Sequence, residues 1–204
     1  DAYVTRFSTE LVPVMARHGA QLLGLWQTWR TNQLSAFWEL EGYAALDRLD
    51  GAARSDEDLV GYTPRACEDR QGWTTRILNP TPFCPDLARI KAESLKGGVY
   101  MLAVIPLVPD RMEEYLQLFP KHGLRLEERY GLKTVGYWRG GGGEPYQTEA
   151  FTFTQLCAGE SWAFWQDFFE RRVRDPEVET WMKRSYAYRT HHQVSYLVPA
   201  CLPY

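Results

Sequence analysis

The sequence predicts an α+β fold of two tandem βαββαβ units that close into one intrachain barrel. Three observations predict it. The first is an internal repeat. Asp1–Trp26 aligns without a gap on Glu113–Trp138 at a shift of 112, pairing Tyr3 with Tyr115, Phe7 with Phe119, Arg17 with Arg129, Gly19 with Gly131, Gly24 with Gly136 and Trp26 with Trp138. Self-similarity at a fixed spacing marks a repeated structural unit. The second is the spacing of Tyr3, Phe7, Leu11, Val14 and His18, which share one helix face before a glycine stop at Gly19. The third is the set of short apolar or alternating segments between the helices, which read as strands.

In order, Asp1–Arg17 reads as a helix kinked at Pro13. Gln21–Thr28 and Leu34–Glu39 read as strands. Residues 43–70 read as helix in two pieces, broken near Gly51 and again near Gly61 and Pro64, and Trp73–Leu78 as a short strand. This is the first repeat, residues 1–80. Residues 81–98 form a linker in which TPFCP breaks structure and a short helix follows. The second repeat, residues 99–204, starts with the strand Val99–Leu107 and the amphipathic helix Arg111–Arg129. Leu132–Trp138 is a strand, Arg139–Glu144 a flexible glycine-rich loop and Gln147–Thr154 a strand. Residues 160–189 are helical in two pieces around Asp175–Pro176, and His192–Val198 is the last strand. The second repeat is therefore βαββαβ, a ferredoxin-like unit. The first is αββαβ. The counterpart of Val99–Leu107 would fall before residue 1, so the expectation is that the given sequence starts inside its first repeat.

The totals narrow the class. A chain of 204 residues with 45% hydrophobic content can bury a full core. Net charge is −3 with signs mixed along the chain, so neither a basic nucleic-acid stripe nor an acidic tail is present. Eight Trp in a chain of 14% aromatic content suit a wide apolar cavity or a self-association surface. Cys67, Cys84, Cys157 and Cys201 are scattered, with no metal or redox spacing. The longest apolar run, Val99–Val108, is too short for a bilayer. The expectation is a soluble cytoplasmic protein with reduced cysteines.

His122-Gly123-Leu124 followed by Gly136-Tyr137-Trp138, and strands running into Leu197-Val198-Pro199 or Leu78-Asn79-Pro80-Thr81-Pro82-Phe83, resemble the NIPSNAP family. The resemblance covers most of the chain as two tandem copies. It implies the dimeric α/β-barrel fold with a central cavity. The wider superfamily includes cofactor-free monooxygenases, polyketide cyclases, muconolactone-type isomerases and haem enzymes, so the resemblance does not select one reaction.

Strand alternation nominates the lumen residues. Aligning the last strands at a shift of 119 puts Gly72, Thr74 and Arg76 over His191, Gln193 and Ser195. The opposite face, with Trp73 and Tyr196, is expected to pack under helices. Glu39 and Thr152 are matched at a shift of 113, on a face shared with Phe37 and Ala150. Leu25 and Tyr137 are assigned to the lumen, and Gly24, Trp26, Gly136 and Trp138 to the side where a helix approaches. The expected catalytic residues are His191 as general acid or base, with Glu39 or Tyr137 as partner. Arg76 would hold an oxyanion, and Thr152, Gln193, Ser195 and Phe37 would line the binding site. His122 lies on the apolar helix face, where Glu10 lies in the first repeat. It either satisfies a backbone carbonyl or points past the helix into the barrel end.

The expected function is acid–base chemistry on a small aromatic or apolar metabolite, such as oxygenation, cyclisation or isomerisation in biosynthesis. No metal and no obligate cofactor are expected. A non-catalytic ligand-binding or interaction module is the alternative, and a haem barrel with an axial His a further one. A small molecule in the lumen is the expected partner, with no nucleic acid and no membrane. A fused pseudo-dimer can also pair again as a homodimer through its outer sheet edges.

Overall fold

The computed structural model describes residues 2–141 and 151–201. They form two compact units, one of residues 1–75 with 199–204, the other of residues 76–198. No helix among the described residues is long and apolar enough to cross a membrane.

Unit 1 opens with α1 (Ala2–Arg6), a π turn (Phe7–Leu11) and α2 (Val12–Arg17). The wide turn absorbs Pro13, which follows it in the first turn of α2. The hairpin of β1 (Gln21–Thr28) and β2 (Leu34–Glu39) comes next. Then follow α3 (Tyr43–Ser55) and α4 (Glu57–Glu68), which run unbroken through Gly51, Gly61 and Pro64. The break lies instead at Asp56, whose carboxylate accepts from the backbone N–H of Asp58 and Leu59 and starts α4. Phe7, Leu22 and Leu25 pack between helix and hairpin with Trp38.

Unit 2 begins with β3 (Ile77–Pro80), then α5 (Leu87–Arg89) with a π turn (Ile90–Ser94). The βαββαβ order follows as β4 (Val99–Pro106), α6 (Met112–Phe119), a π turn (Pro120–Leu124), α7 (Arg125–Arg129), β5 (Lys133–Gly141), β6 (Thr152–Gly159), α8 (Trp162–Val173), α9 (Pro176–Ser185) and β7 (Gln193–Cys201). Its strands run antiparallel in the order β7-β4-β6-β5-β3. One sheet face packs on the helices through Met101, Ala103, Ile105, Tyr137, Phe153 and Cys157. The other carries Tyr100, Leu102, Thr154, Leu156, Gln193 and Ser195, as the pairing registers require.

The repeat extends to fine detail. Gly19 and Gly131 both stop their helices at positive φ, 86° and 76°, where any other residue is strained. The N–H of Ala20 reaches the carbonyl of Met15, and that of Leu132 reaches Glu127, completing the same cap. The register of β1–β2 slips between Leu22 and Gly24, and that of β5–β6 between Thr134 and Gly136, so both bulges hold the same place. In unit 1, Arg17 and His18 bind Asp56. In unit 2, Arg129 and Tyr130 bind Asp175, the equivalent cap of α9. The His18 contact is the main reason the Asp56 carboxyl is held down at about 2.

Gly136 explains a reversal. Trp138 and Gly136 share the face away from the helices, because Trp138 pairs with Thr154 and Gly136 with Leu156. A Cβ on Gly136 would lie 2.0 Å from Trp138 Cζ2. The glycine makes room for the indole lying across its own strand, not for a helix. Gly136→Ala is expected to lower the melting temperature by forcing that indole out, at a cost of about 1–3 kcal/mol in thermal unfolding.

Three expected boundaries move. The short strand is Ile77–Pro80 rather than Trp73–Leu78, and residues 72–76 are exposed coil. Of the strand expected at Gln147–Thr154, residues 147–150 lie outside the described residues, and the strand described there, Thr152–Gly159, runs five residues past Thr154; the last strand starts at Gln193. The glycine-rich loop from residue 142 onward and Ala150 lie outside the described residues.

Candidate active site

A carboxyl group lies between the helices and the sheet of unit 2. α7 places Glu127 over β5, where Tyr137 Oη donates to Glu127 Oε2 at 2.6 Å. Thr134 Oγ1 lies 2.8 Å from the same Tyr137 oxygen and, since that oxygen has given its proton to Glu127, donates to it. The Gln155 side chain also bonds to the Glu127 carboxylate. Its Nε2 donates to Cys157 Sγ at 3.0 Å. Glu127 as a residue is half-buried, because its backbone belongs to the outer helix, but its carboxyl group is turned inward. Among the described residues no cation forms an ion pair with it.

Burial is the main cause pushing the Glu127 carboxyl above the ordinary range, against the hydrogen bonds of Tyr137 and Gln155 and the more distant charge of Arg172. Burial and then the nearby Glu127 charge push the Tyr137 phenol and the Cys157 thiol upward. Cys157 is therefore a poor nucleophile, and Glu127 is the group that can exchange a proton. The aromatic wall is close. Phe83 lies 5.5 Å from Tyr137, Phe119 5.3 Å, and Phe153 stacks on it at 6.1 Å and 9°. The turn that carries Phe83 and Cys84 is tied to β5. Thr81 N–H and Oγ1 both donate to the Tyr137 carbonyl, and Tyr137 N–H points at Cys84 Sγ.

Repeat 1 does without all of this. The shared cap bond makes Met15 the counterpart of Glu127. Strand pairing sets Leu25 against Ala36 where Tyr137 meets Gln155, and Leu22 against Trp38 where Thr134 meets Cys157. Met15, Leu22, Leu25, Ala36 and Trp38 stand at the equivalent positions, with Leu22 and Leu25 buried and Ala36 exposed, so repeat 1 folds without the polar set.

The expected site residues divide. Tyr137 is in the network, but on the helix side of the sheet rather than in the lumen, because the face of Gly136 and Trp138 is the one turned away from the helices. His191 precedes β7, is exposed, and has its Nδ1 3.1 Å from Thr190 Oγ1. Arg76 precedes β3 and is likewise exposed. Gln193 and Ser195 lie on the sheet face away from the helices, as expected, and Thr152 is buried on that face at the start of β6. Phe37 and Glu39 share a face of β2, where Phe37 meets Trp26 edge-on. Glu39 is not the counterpart of Thr152. It pairs with Gln21 as Ala158 pairs with Lys133, which sets the shift at 119 rather than 113. Seven extra residues between Trp138 and Thr154 account for the change from 112. His122 stacks on Trp181 at 5.7 Å on the outer side of the helices. His18 and His122 are half-buried, and His191 and His192 are exposed.

Unit 2 has the ferredoxin-like βαββαβ fold. The structure resembles a putative monooxygenase from Fusobacterium nucleatum with a TM-score of 0.59 and 9% identity, covering 98% of this chain and 85% of that one. A putative monooxygenase from Lactobacillus acidophilus gives 0.56 and 11%, covering 97% and 84%. A NIPSNAP domain protein from Burkholderia xenovorans aligns with half of this chain and 94% of its own, at a TM-score of 0.44 and 20% identity. No protein-family model and no curated protein sequence matches the chain.

Proposed function

We propose that this protein is an enzyme that moves a proton on a small aromatic or apolar metabolite, with Glu127 as general acid–base and Tyr137 as its positioning and hydrogen-bonding partner. The observation that carries the reading is the Glu127–Tyr137 pair of repeat 2, which repeat 1 replaces by Met15 and Leu25. A carboxyl raised by burial and hydrogen-bonded by Tyr137 and Gln155 is suited to take and return a proton. Proton removal beside a carbonyl is the step shared by isomerisation, by cyclisation and by the reaction of an activated carbanion with oxygen. That both similar structures are of putative monooxygenases favours the last of these. Phe83, which stacks on Phe119 at 5.6 Å and is only partly buried, is the wall a ligand would displace on entry. Thr81, Cys84 and the aromatic rings keep water from the carboxyl while the ligand is bound. The reduced cysteines Cys67, Cys84 and Cys157 accord with a cytoplasmic enzyme.

The test is a native mass spectrum of the purified protein against its denatured mass, followed by a turnover screen of any aromatic compound released. The expected result is a small organic ligand that the wild type converts and Glu127→Gln binds unchanged. A ligand bound and never converted would favour the non-catalytic binding module. Equal conversion by wild type and Glu127→Gln would overturn the assignment of Glu127.

A further inference from the structure

The outer groove of unit 2 differs in charge from its counterpart in repeat 1. In repeat 1, Glu10 on the first helix pairs with Arg65 of α4 at 2.5 Å, joining the two helices. The equivalent positions of repeat 2, at the shifts of 112 and 119, are His122 and Arg184. The acid is gone. Arg184 Nη1 instead lies 3.4 Å from His122 Nε2, to which a guanidinium can only donate. Two further cations flank the gap, Lys121 and Arg125, where repeat 1 has Thr9 and Pro13. Among the described residues, Lys121, Arg125 and Arg184 have no acid partner. Glu177 at the rim is engaged by Arg129 at 2.6 Å.

Between these cations lies a cleft of about 420 Å³, floored by the buried Leu126 and Trp181. That volume is in the range of small-ligand sites. The His122 ring stacks on Trp181 at the wall of the cleft. Three unpaired cations around an aromatic floor suit a flat ring that carries a carboxylate, sulfonate or phosphate. We infer that this cleft binds a small anionic aromatic molecule, with Arg125, Arg184 and Lys121 on its anionic group and Trp181 and Leu126 beneath its ring. The inference is independent of the Glu127 chemistry.

The test uses anilinonaphthalene sulfonate as the anionic aromatic probe and N-phenylnaphthylamine as its uncharged analogue, both titrated by fluorescence. His122→Glu recreates the Glu10–Arg65 pair of repeat 1 and is expected to close the cleft without lowering the melting temperature. It should weaken sulfonate binding about tenfold or more, by pairing Arg184 and repelling the probe. Arg125→Glu combined with Arg184→Glu should do the same, while Lys91→Glu, elsewhere on the unit, should not. N-phenylnaphthylamine should respond far less to the charge reversals. Equal sulfonate affinity in the wild type and both cleft variants would overturn the site. So would an equal loss in Lys91→Glu, which would mark bulk charge as the cause, or an equal loss for the uncharged analogue, which would remove the anionic requirement.

Discussion

Replacing Glu127 by methionine, its counterpart in repeat 1, is expected to abolish turnover while leaving the melting temperature unchanged or higher. Loss of a positioned acid–base group lowers a rate about 10²–10⁴-fold. Stability should not suffer, because Met15 occupies the same place among apolar neighbours in unit 1. Tyr137 also keeps its contact with Thr134. The pH dependence carries a sign. Below about pH 4.5 the carboxyl is protonated in both the folded and the unfolded chain and contributes nothing. As pH rises, the unfolded chain ionises first, because the folded group titrates higher. Stability therefore falls with pH until the folded group has also ionised. Glu127→Met removes that decline, so its advantage over the wild type should grow from pH 4 to pH 8 in chemical denaturation. A variant less stable than wild type throughout, with turnover retained, would show the carboxyl to be structural.

The largest loss of stability is expected for Phe119→Ala. Phe119 is the hub of the helix-side core, with Phe153 at 4.8 Å, Tyr137 at 5.3 Å, Phe83 at 5.6 Å, Tyr115 at 5.9 Å and Trp181 at 6.2 Å. Truncation leaves a cavity that five rigid rings cannot close, at a cost of about 3–5 kcal/mol in urea unfolding. Among the described residues the equivalent Phe7 meets two aromatic rings, Tyr3 and Trp38, so Phe7→Ala should cost less. Comparable losses at the two positions would mean that the aromatic cluster adds nothing beyond burial.

Much of the fold was legible because its signals are local. The Tyr3–Phe7 and Tyr115–Phe119 stripes, the glycine stops and the βαββαβ order all lie in short stretches of sequence, and the structure has them. The residues of the candidate site were less legible. Glu127 sits in Leu126-Glu127-Glu128-Arg129, where it reads as one more charge on a solvated helix. The repeat itself held the signal, since the same shift of 112 sets Glu127 on Met15 and Tyr137 on Leu25, a polar pair over an apolar one. His191 and Arg76 precede their strands, which start at Gln193 and Ile77, so strand alternation does not orient them.

By itself the sequence determined the tandem repeat, the order of helices and strands and the aromatic stripes, because each depends on the spacing of neighbours along one chain. Only the tertiary structure decided which way Tyr137 points and what the Glu127 carboxyl meets. The face of Gly136 and Trp138 is the one turned away from the helices, and a π turn at Pro120–Leu124 turns the face of the helix that follows. Both are set by pairing and packing against other parts of the chain. Local periodicity carries no record of them.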